Sequence, residues 1–163
     1  MKTALMLEVG LFAKLLSAGS VPDETEVRNI IQAQVAAWNK RDAEAFAQHF
    51  AADGTFTNLL GMYYTGHEAF RERHEQLFKG VYRGSLKQED IVSIKFVRPD
   101  VVIVDSLQTI TGYQKLLPGT SADAKRRLRT RLLQVMVKDG EEWKTAAYHN
   151  VDVKAGVSAR EPQ

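Results

Sequence analysis

Few side chains in this sequence could move a proton or hold a polar ligand away from water, and His74 is the sharpest of them. A neutral imidazole, with an ordinary pKa of about 6.5, can take or give a proton near neutral pH. It shares one helical stripe with Phe70, Leu77 and Phe78, so it must pack onto something. It is therefore a general base or ligand donor aimed at a pocket, or a core histidine satisfied by a backbone carbonyl or a carboxylate. Asp105 follows Val101, Val102, Ile103 and Val104, and a charge in so apolar a strand belongs at a pocket, at an interface or in a solvated patch. His149 lies between Tyr148 and Asn150, and strand alternation puts it on the face opposite to theirs. Asn58 shares a face with Phe56. Its amide can donate a hydrogen bond but cannot accept and return a proton as a carboxylate does.

Other chemistries are poorly served. The chain has no cysteine, which removes thiol nucleophiles, disulfides and zinc-thiolate sites and suits a cytoplasmic location. His67 and His74 are seven residues apart and no His-x-x-x-His pair exists, so no metal site is expected. No Gly-x-Gly-x-x-Gly fingerprint is present either, and no cofactor is expected. With 22 basic and 20 acidic residues the net charge is +2, which argues against a general polyanion binder. The one basic run, Lys125, Arg126, Arg127, Arg129 and Arg131, is a solvated strand end or an anion-binding rim; it lacks the interleaved aromatics of a nucleic-acid site. No stretch approaches the ~20 apolar residues of a membrane span.

The elements that must position these groups follow from periodicity. At 163 residues, 44% hydrophobic and 26% charged, the chain suits one globular domain, placed at residues 21–155. Residues 1–20 are an extension. Lys2 and the Ser17-Ala18-Gly19 ending resemble a secretory signal, so secretion stays open. Glu8 and Lys14 interrupt its apolar run, however, and Leu5, Val9, Phe12 and Leu16 favour an amphipathic docking helix. Residues 156–163 are a tail. Pro22 and Asp23 open a helix with Asp23 and Glu26 in capping-box spacing, and Val27, Ile30, Ile31, Gln34, Val35 and Trp38 form its stripe. After a break at Asn39-Lys40-Arg41, Asp42 caps a short helix carrying Phe46 and Phe50. Asp53-Gly54 reads as a turn before the strand Thr55 to Asn58. The helix bearing His74 runs from a Thr65/Glu68 capping box to Gly80, which suits a left-handed end. Beyond Gly84 the period becomes that of strands: Val92, Ile94 and Phe96 alternate, Val101 to Tyr113 is long and β-branched, and Leu128 to Lys138 and Trp143 to Val153 flank an Asp139-Gly140 hairpin. Helices first and an antiparallel meander after make an α+β domain.

Six short motifs then fall in a familiar order: Trp38-Asn39-x-x-Asp42; Phe50-Ala51-x-Asp53-Gly54-x-Phe56; Gly66-x-Glu68-Ala69-Phe70; His74-x-x-x-Phe78-x-Gly80; Arg98-Pro99-Asp100-Val101; and Trp143-x-x-Ala146-Ala147. Together they resemble the nuclear transport factor 2-like superfamily over residues 24 to 153, within it the SgcJ/EcaC branch, near the SnoaL-like polyketide cyclases. The resemblance implies a cystatin-like cone, a curved antiparallel sheet wrapped by N-terminal helices around an apolar pocket, and a homodimer. Ketosteroid isomerases of this superfamily carry a catalytic aspartate where Asn58 stands and a phenol near Gln34, so steroid isomerase activity is not expected.

Two functions are compatible with this reading. In the first the protein binds an apolar, oxygenated small molecule and is a cofactor-free acid/base enzyme of the cyclase, isomerase or dehydratase class. His74 would then be the acid/base, Asp105 its orienting group and Asn58 an oxyanion donor, with Trp38, Phe56, Phe70, Phe78 and His149 around the ligand. In the second it is a non-catalytic ligand-binding or assembly domain. The four aromatic residues line the cavity or simply fill it.

Overall fold

The computed structural model describes residues 20–159; the amphipathic reading of the N-terminal extension lies outside them. Three helices, α1 (Val21–Lys40), α2 (Ala43–Ala47) and α3 (His67–Lys79), cover one face of a curved, unclosed six-stranded sheet. Its strands are β1 (Phe50–Thr57), β2 (Tyr63–Thr65), β3 (Leu86–Arg98), β4 (Val101–Thr111), β5 (Leu128–Asp139) and β6 (Glu142–Asp152). The spatial order is β2-β1-β6-β5-β4-β3. Strands β3 to β6 form the antiparallel meander, β1 joins β6 in parallel, and β2 pairs with β1.

The helix ends obey local chemistry, though not always at the expected residue. Ser20 caps α1 by accepting from the Asp23 backbone N–H. Asp23 lies in the first turn, where its carboxylate accepts from Lys138 Nζ at 2.6 Å and Trp143 Nε1 at 3.2 Å. The Lys138 hydrogen bond, with help from Ser20, holds the Asp23 carboxyl down at about 2. Arg41 ends α1 in the left-handed region at φ 60°, and Asp42 caps α2 as expected. The Thr65/Glu68 box does not form. Thr65 is extended and paired with Thr55 in the short strand β2, and Gly66 enters α3 at φ 95° without a side-chain cap. Gly80 ends the helix at φ −109°, outside the left-handed region, and Gly84 at φ 82° serves the separate turn closed by the Ser85 N–H on the Tyr82 carbonyl.

Three bulges decide which side chains face the helices. In β1 the register with β6 shifts between Phe50 and Thr55, so Asp53-Gly54 is bulged strand rather than a turn. Gly54 is there for close packing: a Cβ would stand 2.8 Å from the Phe50 ring and 3.0 Å from the Thr145 carbonyl. In β3 the shift between Ile91 and Ser93 turns both Lys87 and Ile94 inward despite their opposite parity. In β6, Ala146 is skipped between Thr145 and Ala147, so Trp143 and Thr145 face inward and then Tyr148 and Asn150 do.

The interior divides in two. Near the β3–β4 and β5–β6 hairpins, Val27, Ile30 and Ile31 of α1 pack on Val102, Val104, Met136 and Trp143. At the other end Trp38, Phe46, Phe50, Phe56, Phe70, Phe78 and Tyr148 form an aromatic cluster with Leu128 and Leu132. Phe70 stacks on Phe50 at 4.0 Å and on Phe46 at 5.6 Å between ring centroids. Each fully buried ring contributes about 1.5–3 kcal/mol, so this cluster anchors α2 and α3 on the sheet. Asn39 ties α1 to the edge strand β3 through two hydrogen bonds with the Lys87 backbone.

Candidate functional site

The aromatic cluster encloses a cavity of about 30 Å³, roughly the room one water takes. Trp38, Phe56, Leu59, Leu77, Ile110 and Leu117 supply its apolar wall, and Asn58, Arg73, His74, Tyr82, Gln108, Tyr148 and Asn150 its polar groups. Leu59 and Leu117 sit on connections, after β1 and between β4 and β5, while the other walls stand on or beside helices and strands.

His74 is buried, with only 3% of its surface exposed. Its ring lies among Phe46, Phe70 and Phe56, at 4.5, 4.3 and 5.3 Å between centroids. Nδ1 stands 2.8 Å from the Phe70 carbonyl, which can only accept, so Nδ1 carries the proton and Nε2 is left with a lone pair. No partner meets Nε2 among the described residues. Burial pulls the imidazole pKa down to about 3 against the hydrogen bond to Phe70, so the ring is neutral throughout the physiological range. It is a hydrogen-bond acceptor first and a weak base second.

Asn58 follows β1 directly. Its Oδ1 accepts from the backbone N–H groups of Leu60 and Met62 at 2.9 and 3.0 Å, an Asx turn that closes the connection. That fixes the amide orientation and sends Nδ2 into the cavity wall, buried and without a partner. Arg73 Nε, Tyr82 Oη and Asn150 Oδ1 are in the same condition. Of the eight buried side-chain polar atoms lacking an aligned partner among the described residues, four line this one cavity. Native interiors satisfy nearly all such atoms, so a cluster of exceptions against a cavity is where an ordered water, an ion or a ligand completes the contacts.

Behind the cavity wall lies a second polar group whose two charges are paired. Lys87 and Glu89 have no side-chain exposure and stand 3.0 Å apart, held by charge more than by aligned hydrogen bonds. Glu89 also accepts from Ser106 Oγ at 2.7 Å and Gln108 Nε2 at 2.9 Å, and Gln108 donates to Tyr148 Oη at 3.2 Å and accepts from Thr130. Burial opposes the Lys87 charge, yet the Glu89 carboxylate outweighs it and holds the amine above its ordinary value. Burial likewise keeps the Tyr148 phenol protonated.

The structure brings His74, Trp38, Phe56 and Asn58 together at the cavity, packs Phe70 and Phe78 against them, and puts Asp105 and His149 on the opposite face of the sheet. Asp105 is not the orienting group of His74. It lies on the far face of the sheet, in a two-point ion pair with Arg131 at 2.8 and 2.9 Å. His149 is exposed on that same face, one Leu133 away from Asp105 across the strands; its neighbours Tyr148 and Asn150 are the ones that reach the cavity. Phe70 and Phe78 fill the core beside it without lining it. Gln34 is engaged with Gln134 of β5, at 3.1 and 3.4 Å. Arg73, Tyr82 and Gln108 were not legible as site residues, since nothing in their spacing distinguishes them from surface or core positions. No cluster of three or more histidine, aspartate or glutamate side chains suited to a metal occurs among the described residues. No helix there is long and apolar enough to cross a membrane.

A helix-wrapped, curved sheet enclosing a small polar cavity is the cystatin-like, nuclear transport factor 2-like architecture. The chain belongs to the SnoaL-like domain family, whose profile matches residues 31–147. No curated protein matches it. Among solved structures, a cystatin-like domain of unknown function from Nostoc punctiforme is 24% identical with a TM-score of 0.68, covering 82% of this chain and 79% of that one. A candidate scytalone dehydratase from Novosphingobium aromaticivorans is 18% identical with a TM-score of 0.66, covering 86% and 91%. A ketosteroid isomerase-like protein from Erwinia carotovora atroseptica is 17% identical with a TM-score of 0.63, covering 80% and 95%. At these identities the likeness is one of fold.

Proposed function

We propose that the protein is a small-molecule-binding member of the SnoaL-like family, and that the cone takes an apolar, oxygenated ligand. The carrying observation is the bare Nε2 of His74, a neutral acceptor beside the unpartnered amide of Asn58. A ligand hydroxyl would donate to Nε2, and a ligand oxygen would receive the Asn58 N–H. The order of the sequence motifs further supports the SgcJ/EcaC branch. Calorimetric titration with 4-ethylphenol and 2-naphthol checks the reading. Saturable binding is expected, weakened about tenfold in His74→Leu, the equivalent of one lost hydrogen bond. The reading is sunk if neither phenol, nor any of benzoate, cyclohexanecarboxylate, hexanoate and their methyl esters, binds saturably.

A second reading makes His74 the acid/base of a cyclase, isomerase or dehydratase, as the names of the Novosphingobium and Erwinia relatives suggest. The suppressed basicity of His74 and a cavity lining without a carboxylate weigh against it.

The outer sheet face is the proposed homodimer surface. Ile103, Leu107 and Val135 surround the Asp105–Arg131 pair there, and Leu133 and Val151 are 41% and 56% exposed. A second copy would cover this apolar surface. Light scattering at tens of micromolar, an ordinary working concentration, should report a dimer; a monomer would count decisively against it.

A further inference from the structure

Two arginines two residues apart on α3 have opposite fates. Arg71 reaches Glu44, Glu68 and Glu75. Arg73 lines the cavity, has no carboxylate within ion-pair distance among the described residues, and buries Nε without a hydrogen-bond partner. With His74 neutral, Arg73 is the one charge in the cavity lining among the described residues. The Tyr82 phenol feels both Arg73 and the Asp152 carboxylate. Asp152 forms an ion pair with Lys154 at 2.7 Å, although its oxygens have no aligned hydrogen bond among the described residues. Arg73 is half-buried, so water reaches part of its guanidinium, but its buried Nε lacks an acceptor and an anion in the cavity would supply one.

The neighbouring orphans are of matching type. Asn58 Nδ2 is a donor, and Tyr82 Oη is a phenol that burial keeps protonated and hence able to donate. Three donors, one of them charged, face a space that suits one small polar head group. A carboxylate offers about four lone-pair sites and a full negative charge; a ketone or hydroxyl would leave Arg73 unmatched. Phe56 and Ile110 would meet an apolar frame, and displacement of Leu59 or Leu117, both on connections, would make room for it.

We infer that the ligand of this cavity is a small organic monocarboxylate, its carboxylate held by Arg73, Asn58 Nδ2 and Tyr82 Oη. The inference rests on the reading of the cone as a ligand site and narrows its substrate class. The test is calorimetric titration of the full chain with benzoate, cyclohexanecarboxylate and hexanoate, each against its methyl ester. At least one acid should bind about tenfold or more tighter than its ester, as a charge-assisted contact predicts. Its affinity should fall with added salt. Arg73→Gln should abolish the preference while the ester still binds, and Arg73→Lys should restore part of it. Melting curves confirm that the variants fold; if Arg73→Gln does not, the salt dependence and Arg73→Lys carry the test. Esters binding as tightly as acids, or a preference that survives Arg73→Gln, would overturn the inference and leave the ligand site standing. No binding by acids, esters or phenols would overturn both.

Discussion

Two polar groups share the concave face of the sheet, and they differ in what the chain itself supplies. Around Lys87 and Glu89 the fold provides both signs of charge, and Ser106, Gln108, Thr130 and Tyr148 complete the contacts. Around the cavity the fold provides Asn58, Arg73, Tyr82, His74 and Asn150, each with an atom that nothing among the described residues meets. Gln108 and Tyr148 belong to both and form the wall between them. The side chains of Lys87, Glu89 and His74 are buried alike while Arg73 and Asn150 are only partly buried, so burial alone does not separate structure from site. Charge pairing does: Lys87 lacks an aligned hydrogen bond at Nζ yet has Glu89 beside it, whereas no carboxylate among the described residues pairs with Arg73.

The comparison breaks most readily at Glu89. Glu89→Gln keeps the shape and removes the charge, leaving Lys87 a buried cation with no opposite charge beside it. Loss of one partner from such a pair costs about 3–5 kcal/mol, which urea unfolding will register as a lower midpoint at unchanged slope. Adding Lys87→Met should recover most of the loss, since replacing both partners is close to neutral. A single variant as stable as the wild type would mean that the network is not the structural half.

The sequence made one side of this contrast far more readable than the other. The stripe of Phe70, His74, Leu77 and Phe78 was visible because helical spacing survives whatever the helix packs on, and all four are buried. The long strands β4, β5 and β6 and the Asp139-Gly140 hairpin were visible for the same reason. Strand alternation also grouped Asp105 correctly with Ile103 and Leu107, but alternation alone cannot say which parity faces the helices, and Asp105 lies outside. Lys87 and Glu89 were hidden more deeply. They turn inward with Ile91 ahead of the register shift at Val92, and neither Val92 nor Ala146 differs in type from an ordinary strand residue. Arg73 was hidden because its difference from Arg71 lies in the absence of a carboxylate partner, which spacing along α3 does not reveal. The polar atoms of the cavity are therefore a product of tertiary register.

The smallest effect, and the one that separates the two groups most finely, is expected at His74. His74→Leu removes a ring whose Nε2 is unpartnered among the described residues. The Phe70 carbonyl that loses Nδ1 also stands four residues before the His74 backbone N–H, the ordinary helical donor, so the swap strands no acceptor. At neutral pH the melting temperature should be unchanged or slightly raised, where a histidine locked into a satisfied network would cost about 1–3 kcal/mol. Acid sharpens the difference. The folded protein holds this imidazole at about 3 against an ordinary 6.5, so below 6.5 the unfolded chain takes a proton that the folded one refuses. The stability tied to a neutral His74 is complete above 6.5 and is lost as the pH falls toward 3, at about 1 kcal/mol per pH unit. His49 is shifted in the same direction by burial, so the informative quantity is wild type minus variant. Between pH 7 and 5 the wild type should lose melting temperature faster than His74→Leu, with the variant gaining on it steadily. Parallel pH profiles, or a marked loss of stability in the variant at neutral pH, would move His74 out of the cavity group and into the structural one.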